Sequence, residues 1–421
     1  MNSKPKSSYA IVIAIACCLI VFGGAGTTFS TAGVFYAVVA DAFGVGQGTF
    51  SIYMTIVGLL MALSLPILGK LLTKVDIRVM IAIDGVCVAL SWAIFAMSQS
   101  MWMFYAAAVL QGIGVAGPMY IVVPTMASRW FHKKNGLMIG VGMAFTGIAG
   151  IVLQPILGSV VSEYGWRTGY WINAAISAVT VIIPALFMLR GQPSDVGQVP
   201  YGFEEEAREN TIAAAKVASP TQLGVSYKNA LRSGSFFAIA AVALCINVYT
   251  CMNFYWTSYA SAIGYSLTAA SAISSVAMYG QLVGKIGLGS ICDKNLNVGL
   301  ILAYGCGVVG LGASLFTTSS APLAILLVCI FLYGITHGSS AVETPIIAKA
   351  CFGNGKDYAR IYSNVASVSS FSSAIGSTLL GYIADWTGGY EAVFILCLVL
   401  AALCFVFAKL AVRMSAKLVR E

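Results

Sequence analysis

Lys285 is the residue whose chemistry is hardest to explain as packing. It stands eight positions before Asp293, inside the otherwise uncharged run 268–292. At 1.5 Å per helical residue that places it about 12 Å from the polar boundary Asp293 marks. A Lys at the centre of a membrane helix costs about 2.5–3.5 kcal/mol on insertion scales, so it calls for a partner, water or an anionic ligand. One helical turn earlier stands Gln281, an amide that cannot take up or release a proton. On a second apolar run, 322–348, His337 and Glu343 are six residues apart and so point to different faces. An imidazole changes charge near neutral pH, so His337 is either a proton carrier or a neutral polar residue bonded to a neighbouring helix. Glu343 suits proton coupling or an ion pair, with Lys285 or Lys349. Tyr120, Gln154 and Asn253 carry hydrogen-bond donors inside apolar runs.

Such residues need a scaffold, and the composition says which kind. The 421 residues are 59% hydrophobic and 9% charged, where a soluble domain would carry about a quarter charged residues. That excludes a globular cytosolic protein, a disordered chain and a disulfide-built secreted domain. A nucleic-acid binder is excluded too, despite the net charge of +8. The 44 glycines fit close helix contacts in lipid. The 11 cysteines form no CxxC pair and sit mostly inside apolar runs as small hydrophobes, so neither a disulfide nor a metal site is expected. Lys4 and Lys6 precede an apolar run from Tyr9 that continues past Val39, which reads as a first span rather than a signal peptide. No nucleophile–base pair, metal-ligand set or nucleotide loop appears, so no enzyme activity and no cofactor are expected.

Cutting at polar interruptions gives twelve spans: 9–39, 48–70, 77–97, 102–127, 136–160, 168–189, 236–261, 268–292, 298–318, 322–348, 361–384 and 389–411. With the N-terminus inside, every one of the 23 cations except Arg167 and Lys285 falls on the cytoplasmic side. The +8 is therefore a topology signal. The expected fold is all-α and integral to the membrane, with twelve transmembrane helices in two pseudo-symmetric six-helix bundles, 1–190 and 236–421. Residues 191–235 form a cytoplasmic linker whose acidic run, Glu204, Glu205, Glu206 and Glu209, reads as a solvated face. The expected location is the plasma membrane, multi-pass, with both termini cytoplasmic and the monomer functional.

The halves echo each other. Gly69-Lys-Leu-Leu-Thr-Lys74 after span 2 returns as Gly289-Ser-Ile-Cys-Asp-Lys294 after span 8, and Glu163-Tyr-Gly165-Trp returns as Trp386-Thr-Gly388-Gly. The G-x-L-x-D-K/R pattern of these loops resembles the signature loop of the major facilitator superfamily. The second copy keeps its acid, Asp293, while the first has Thr73. Arg129-Trp-Phe-His-Lys-Lys-Asn-Gly136 and Phe352-Gly-Asn-Gly-Lys-Asp-Tyr358 resemble the branch that holds the oxalate:formate antiporter and the monocarboxylate transporters.

The resemblance implies a gradient-driven transporter in which rocking of two bundles alternates access to a central site. It implies that Lys285, at the place of that branch's span 8 cation, binds the substrate carboxylate, with Phe35, Tyr36, Tyr120, Gln154, Asn253, Gln281 and His337 around it. It implies gating by the loops that hold Gly69, Lys74 and Arg78 with Asp84, and Gly289, Asp293 and Lys294. Two departures refine it. The antiporter's second cation on span 11 is missing, since 361–383 has no Lys or Arg, so one central charge favours a monoanion unless His337 is protonated. The acid that the monocarboxylate transporters place four residues before the cation is Gln281 here, which speaks against proton symport through that position. The expected function is transport of small monocarboxylates such as formate or lactate, by exchange or with proton coupling through His337 or Glu343. The expected partners are that small carboxylate and the lipid bilayer. The rival on the same fold is a drug or cation exporter, whose Gly-Pro motif on span 5 is absent: Gly147-Ile-Ala-Gly150 stands there, with Pro155 further on. A rival of another class, a sensor, lacks a central loop long enough for a signalling domain.

Overall fold

The computed structural model describes residues 9–72, 74–131, 134–202, 224–317, 322–353, 357–416 and 418. Thr73, His132, Lys133, the acidic run at 204–209 and Lys356 lie outside them, as do the terminal Lys4, Lys6, Lys417 and Arg420. Among the described residues are twelve long helices: α1 (Tyr9–Val34), α2 (Gln47–Leu71), α3 (Ile77–Met97), α4 (Met101–Trp130), α5 (Asn135–Tyr164) and α6 (Trp166–Met188), then α7 (Gly234–Phe254), α8 (Leu267–Lys294), α9 (Leu296–Ser314), α10 (Leu323–Phe352), α11 (Tyr358–Thr387) and α12 (Glu391–Ser415). Ten are long and apolar enough to cross a membrane. The other two, α8 and α11, have 28 and 30 residues but are more polar. Their polarity comes from Ser271, Ser274, Gln281 and Lys285 on one and a serine-rich run, 367–373, on the other.

Polar side chains start several of these helices. Asp76 accepts from Arg78 N to cap α3, Ser233 caps α7, Ser266 caps α8 and Asn295 caps α9. The echoed turns share a geometry. Gly165 after α5 and Gly388 after α11 both adopt left-handed backbone, φ +83° and +70°, which a residue with a Cβ rarely takes. The same symmetry shows where α1 and α7 break. A 3-10 turn over Ala32–Val34 ends at Phe35 and resumes as a helix at Tyr36–Phe43. A 3-10 turn over Cys251–Phe254 ends at Tyr255 and resumes at Trp256–Ala262, 220 residues later. That is the offset between the loops at Gly69 and Gly289.

By contacts the chain divides into two compact units, and the division passes through helices rather than along the 191–235 linker. The first unit holds the described residues of Met1–Ser30, Leu60–Ala149 and Arg167–Pro220. In it α1 takes a π-helical form over Phe22–Ser30, where the carbonyl of Gly23 accepts from Thr27 Oγ1 at 2.6 Å and from Ser177 Oγ at 2.7 Å. Those hydroxyls satisfy a backbone group that the wider turn presents. The second unit holds Thr31–Leu59, Gly150–Trp166 and Thr221–Glu421, within its described residues. It therefore joins α7–α12 to the ends of α1, α2 and α5 that lie far from the cation-rich loops.

The tightest helix pair is in this second unit. Gly280 and Gly284 on α8 meet Gly334 and Gly338 on α10, each pair four residues apart. A Cβ at Gly280 would strike the Phe331 carbonyl, at Gly284 that of Ile335, at Gly334 that of Ala277, and at Gly338 that of Gln281. Two such small-residue stripes let the backbones touch, which is how helices gain van der Waals packing where no hydrophobic force separates protein from lipid.

Candidate functional site

The close α8–α10 crossing sets Lys285, Gln281 and His337 side by side. Lys285 Nζ donates to Gln281 Oε1 at 3.3 Å, and Gln281 Nε2 lies 3.0 Å from His337 Nε2. Lys285 and His337 are half-buried and Gln281 is buried. The His337 ring stands 5.9 Å from that of Tyr333, which stacks on Tyr249 at 5.0 Å and meets Trp256 at 5.2 Å. Tyr333 is in turn anchored by a hydrogen bond from its hydroxyl to the Thr250 carbonyl, 2.9 Å. The result is a cation and an imidazole joined through one amide, backed by aromatic rings.

Glu343 is not part of this cluster. As the six-residue spacing requires, it faces another way, beside Tyr304 of α9 and Ser339. Neither of its oxygens has a hydrogen-bond or ion-pair partner among the described residues, and neither does the Tyr304 hydroxyl. The pairs with Lys285 or Lys349 considered from sequence are not formed. Asp84 lies in the first unit, buried on α3 against Gly114 and Gly117 of α4, with Oδ2 unpartnered among the described residues. Arg78 turns instead to Asp76 at 2.6 Å, and this guanidinium hydrogen bond holds the Asp76 carboxyl below its ordinary range. Gly69, Lys74 and Lys294 are exposed at helix ends. Gly289 and Asp293 fall on the last turns of α8, and their surroundings lie outside the described residues. Tyr120 is in the first unit, 42% exposed.

The remaining candidates gather where α1 and α7 break. Tyr36 is fully buried, stacked on Phe254 at 5.7 Å and edge-on to Tyr255 at 5.1 Å and to Phe50 of α2 at 5.3 Å. Among the described residues its hydroxyl has no hydrogen-bond partner, nor has Oδ1 of Asn253. Phe35 is buried at the α1 break. Gln154 of α5 accepts from Ser274 Oγ at 2.6 Å, and Ser274 also meets Thr257 at 2.8 Å. Ser274, Gln281 and Lys285 fall on one stripe of α8, so Lys285 is about 16 Å along the helix from the Gln154 contact.

Beyond this aromatic layer, α2 and α11 interlock. Asp385 accepts from the backbone N–H of Gln47 at 3.0 Å and of Gly48 at 2.7 Å. Gln47 Nε2 donates to the Tyr390 hydroxyl at 2.8 Å, and the Thr55 and Thr378 hydroxyls meet at 2.7 Å. None of Asp385, Ser274 or the α8–α10 glycine pairs was singled out from sequence. The two G-x-x-x-G spacings were the readable signal for the last of these.

A family model for the Major Facilitator Superfamily matches residues 17–347 and, in a second match, 237–419. The chain belongs to the major facilitator superfamily. It is accordingly a multi-pass membrane transporter. Monocarboxylate transporter 13 of Bos taurus is 24% identical over 335 residues, 78% of this chain and 72% of that one. The oxalate:formate antiporter of Oxalobacter formigenes is 28% identical over 152 residues, 36% of each chain. In fold, a bacterial homologue of the human lysosomal transporter Spinster is similar over 99% of both chains, with a TM-score of 0.69 at 14% identity. That last likeness is one of fold alone.

Proposed function

We propose that this facilitator moves small organic monoanions, monocarboxylates such as formate or lactate, across the plasma membrane by alternating access, with Lys285 as the group that meets the carboxylate. The observation that carries the reading is the position of Lys285: a half-buried cation inside a membrane helix, hydrogen-bonded to the amide of Gln281. A cation at that depth is costly, and a carboxylate ligand would offset that cost. The names of the relatives, monocarboxylate transporters and an oxalate:formate antiporter, support the same substrate class. Gln281 and His337 complete the binding surface beside Lys285, with Tyr36, Phe35, Asn253 and Gln154 as further polar and aromatic groups of the same unit.

In this reading the six-helix halves 1–190 and 236–421 rock about the linker 191–235, with both termini cytoplasmic and the monomer as the working unit. The paired breaks at Phe35 and Tyr255 support the duplicated design. The cytoplasmic loops with Gly69, Lys74, Arg78, Gly289, Asp293 and Lys294, and Asp84 behind them, gate one side. The α2–α11 and α5–α8 contacts gate the other. With Gln281 in place of an acid, exchange of one anion for another is the favoured mode, and Glu343 is the residue through which proton coupling would act.

The test is uptake of labelled formate, lactate and oxalate into proteoliposomes preloaded with each unlabelled acid. Preloading with a monocarboxylate should stimulate monocarboxylate uptake without a pH gradient, and oxalate should exchange poorly. Failure of every small carboxylate to move, in either arrangement, would overturn the substrate assignment.

A further inference from the structure

One amide decides the protonation form of the imidazole beside it. Gln281 Oε1 accepts from Lys285 Nζ, and Gln281 Nε2 faces His337 Nε2 at 3.0 Å. An ammonium has three donors and no acceptor, so the amide must present its oxygen to Lys285 and its NH2 to His337. An amide NH2 only donates. His337 Nε2 must therefore accept, and the ring proton sits on Nδ1, which is buried and has no hydrogen-bond partner among the described residues. The arrangement cannot slide, because Gly284 and Gly338 hold the α8 and α10 backbones in contact on either side of it.

We infer that Gln281 is a positioning residue that holds His337 as the neutral Nδ1–H tautomer, so that the site offers its substrate one cation and one neutral donor and thereby selects monoanions over dianions. This rests on Lys285 being the anion-binding group. Charging His337 would put a second donor opposite the amide. Its Nε2–H would need the amide oxygen that already accepts from Lys285. Lys285 is the charged group that faces His337 from α8. On α10 itself the neighbour is the Tyr333 ring, while Glu343 points toward Tyr304. A bound carboxylate has two oxygens, one for Lys285 and one for the free Nδ1–H, and it brings a charge that matches the single ammonium.

The chain has two histidines, His132 and His337, so a His132→Ala variant labelled with 15N-histidine reports His337 alone. The spectrum of this otherwise intact protein in nanodiscs at pH 7 should show Nδ1 protonated and Nε2 bare, with the Nδ1–H form at least about tenfold in excess. Gln281→Leu should let both neutral tautomers appear. Gln281→Glu, whose carboxylate accepts only, should move the proton to Nε2 or charge the ring. An imidazolium or an Nε2–H ring in the parent would overturn the inference, as would a spectrum unchanged in both Gln281 variants. Because the spectrum needs no substrate, its failure is separable from failure of the transport reading, which Lys285→Ala exchange assays test.

Discussion

The Asp385 carboxylate caps the first turn of α2 from across the second unit, taking the Gly48 N–H at 2.7 Å and the Gln47 N–H at 3.0 Å. The first backbone donors of a helix have no partner within it, and an acid there is favoured by the helix dipole as well. In this chain the cap comes from a helix 337 residues away, so it exists only while α2 and α11 are together. In the proposed alternating-access cycle it would serve as a latch for one gate.

Replacing Asp385 with Ala should therefore weaken that gate by about 1 kcal/mol, the usual worth of a cap, or about fivefold in the open-to-closed ratio. Ala37 lines a cleft of about 260 Å³ next to Asp41 and Ser258 at the same end. Labelling of Ala37→Cys by an impermeant maleimide should be several-fold faster in the Asp385→Ala background. An equal rate would mean that the cap does not hold the gate.

Glycine packing at the α8–α10 crossing gives a stability prediction. Gly284→Leu places a side chain where a single Cβ already meets the Ile335 carbonyl, so it should cost about 1–3 kcal/mol or more through overpacking. Gly287, three residues on, has nothing within 4 Å of its would-be Cβ, and Gly287→Ala should be neutral or slightly stabilising. Thermal melts in detergent should separate the two clearly. Similar melts would contradict the contact.

The spans, and Lys285 as a charge within one of them, were legible in the sequence because each is a local property, a run length or a charge in an apolar stretch. The α2–α11 cap was not, since a carboxylate two residues before Thr387 looks like any helix-end acid until its partner is known. The same holds for the Gln281–His337 link, which spans 56 residues. His337 and Glu343 could be separated by helical spacing, but which one meets Lys285 depends on the rotation of α10, and that is fixed by Gly334 and Gly338 against α8. Arg78 and Asp84 were grouped because they are near in sequence. Asp76, nearer still, takes the arginine.

Glu343 offers a separate test of coupling. Its oxygens have no partner among the described residues, so Glu343→Gln removes no hydrogen bond or ion pair and should leave the protein folded with at most about 1 kcal/mol of change. Exchange at equal pH on both sides should stay within about twofold, while any stimulation by an inward proton gradient should disappear. Retained gradient stimulation in this variant would assign Glu343 to structure and move coupling elsewhere.

The most direct measurement is exchange of labelled lactate or formate by Lys285→Ala in proteoliposomes, alongside wild type, with insertion checked by monodisperse elution and an unchanged melt. An anion site built on this one cation predicts that exchange falls at least about 100-fold in the intact protein. Wild-type exchange by Lys285→Ala would contradict the assignment of the lysine as the substrate's counter-charge.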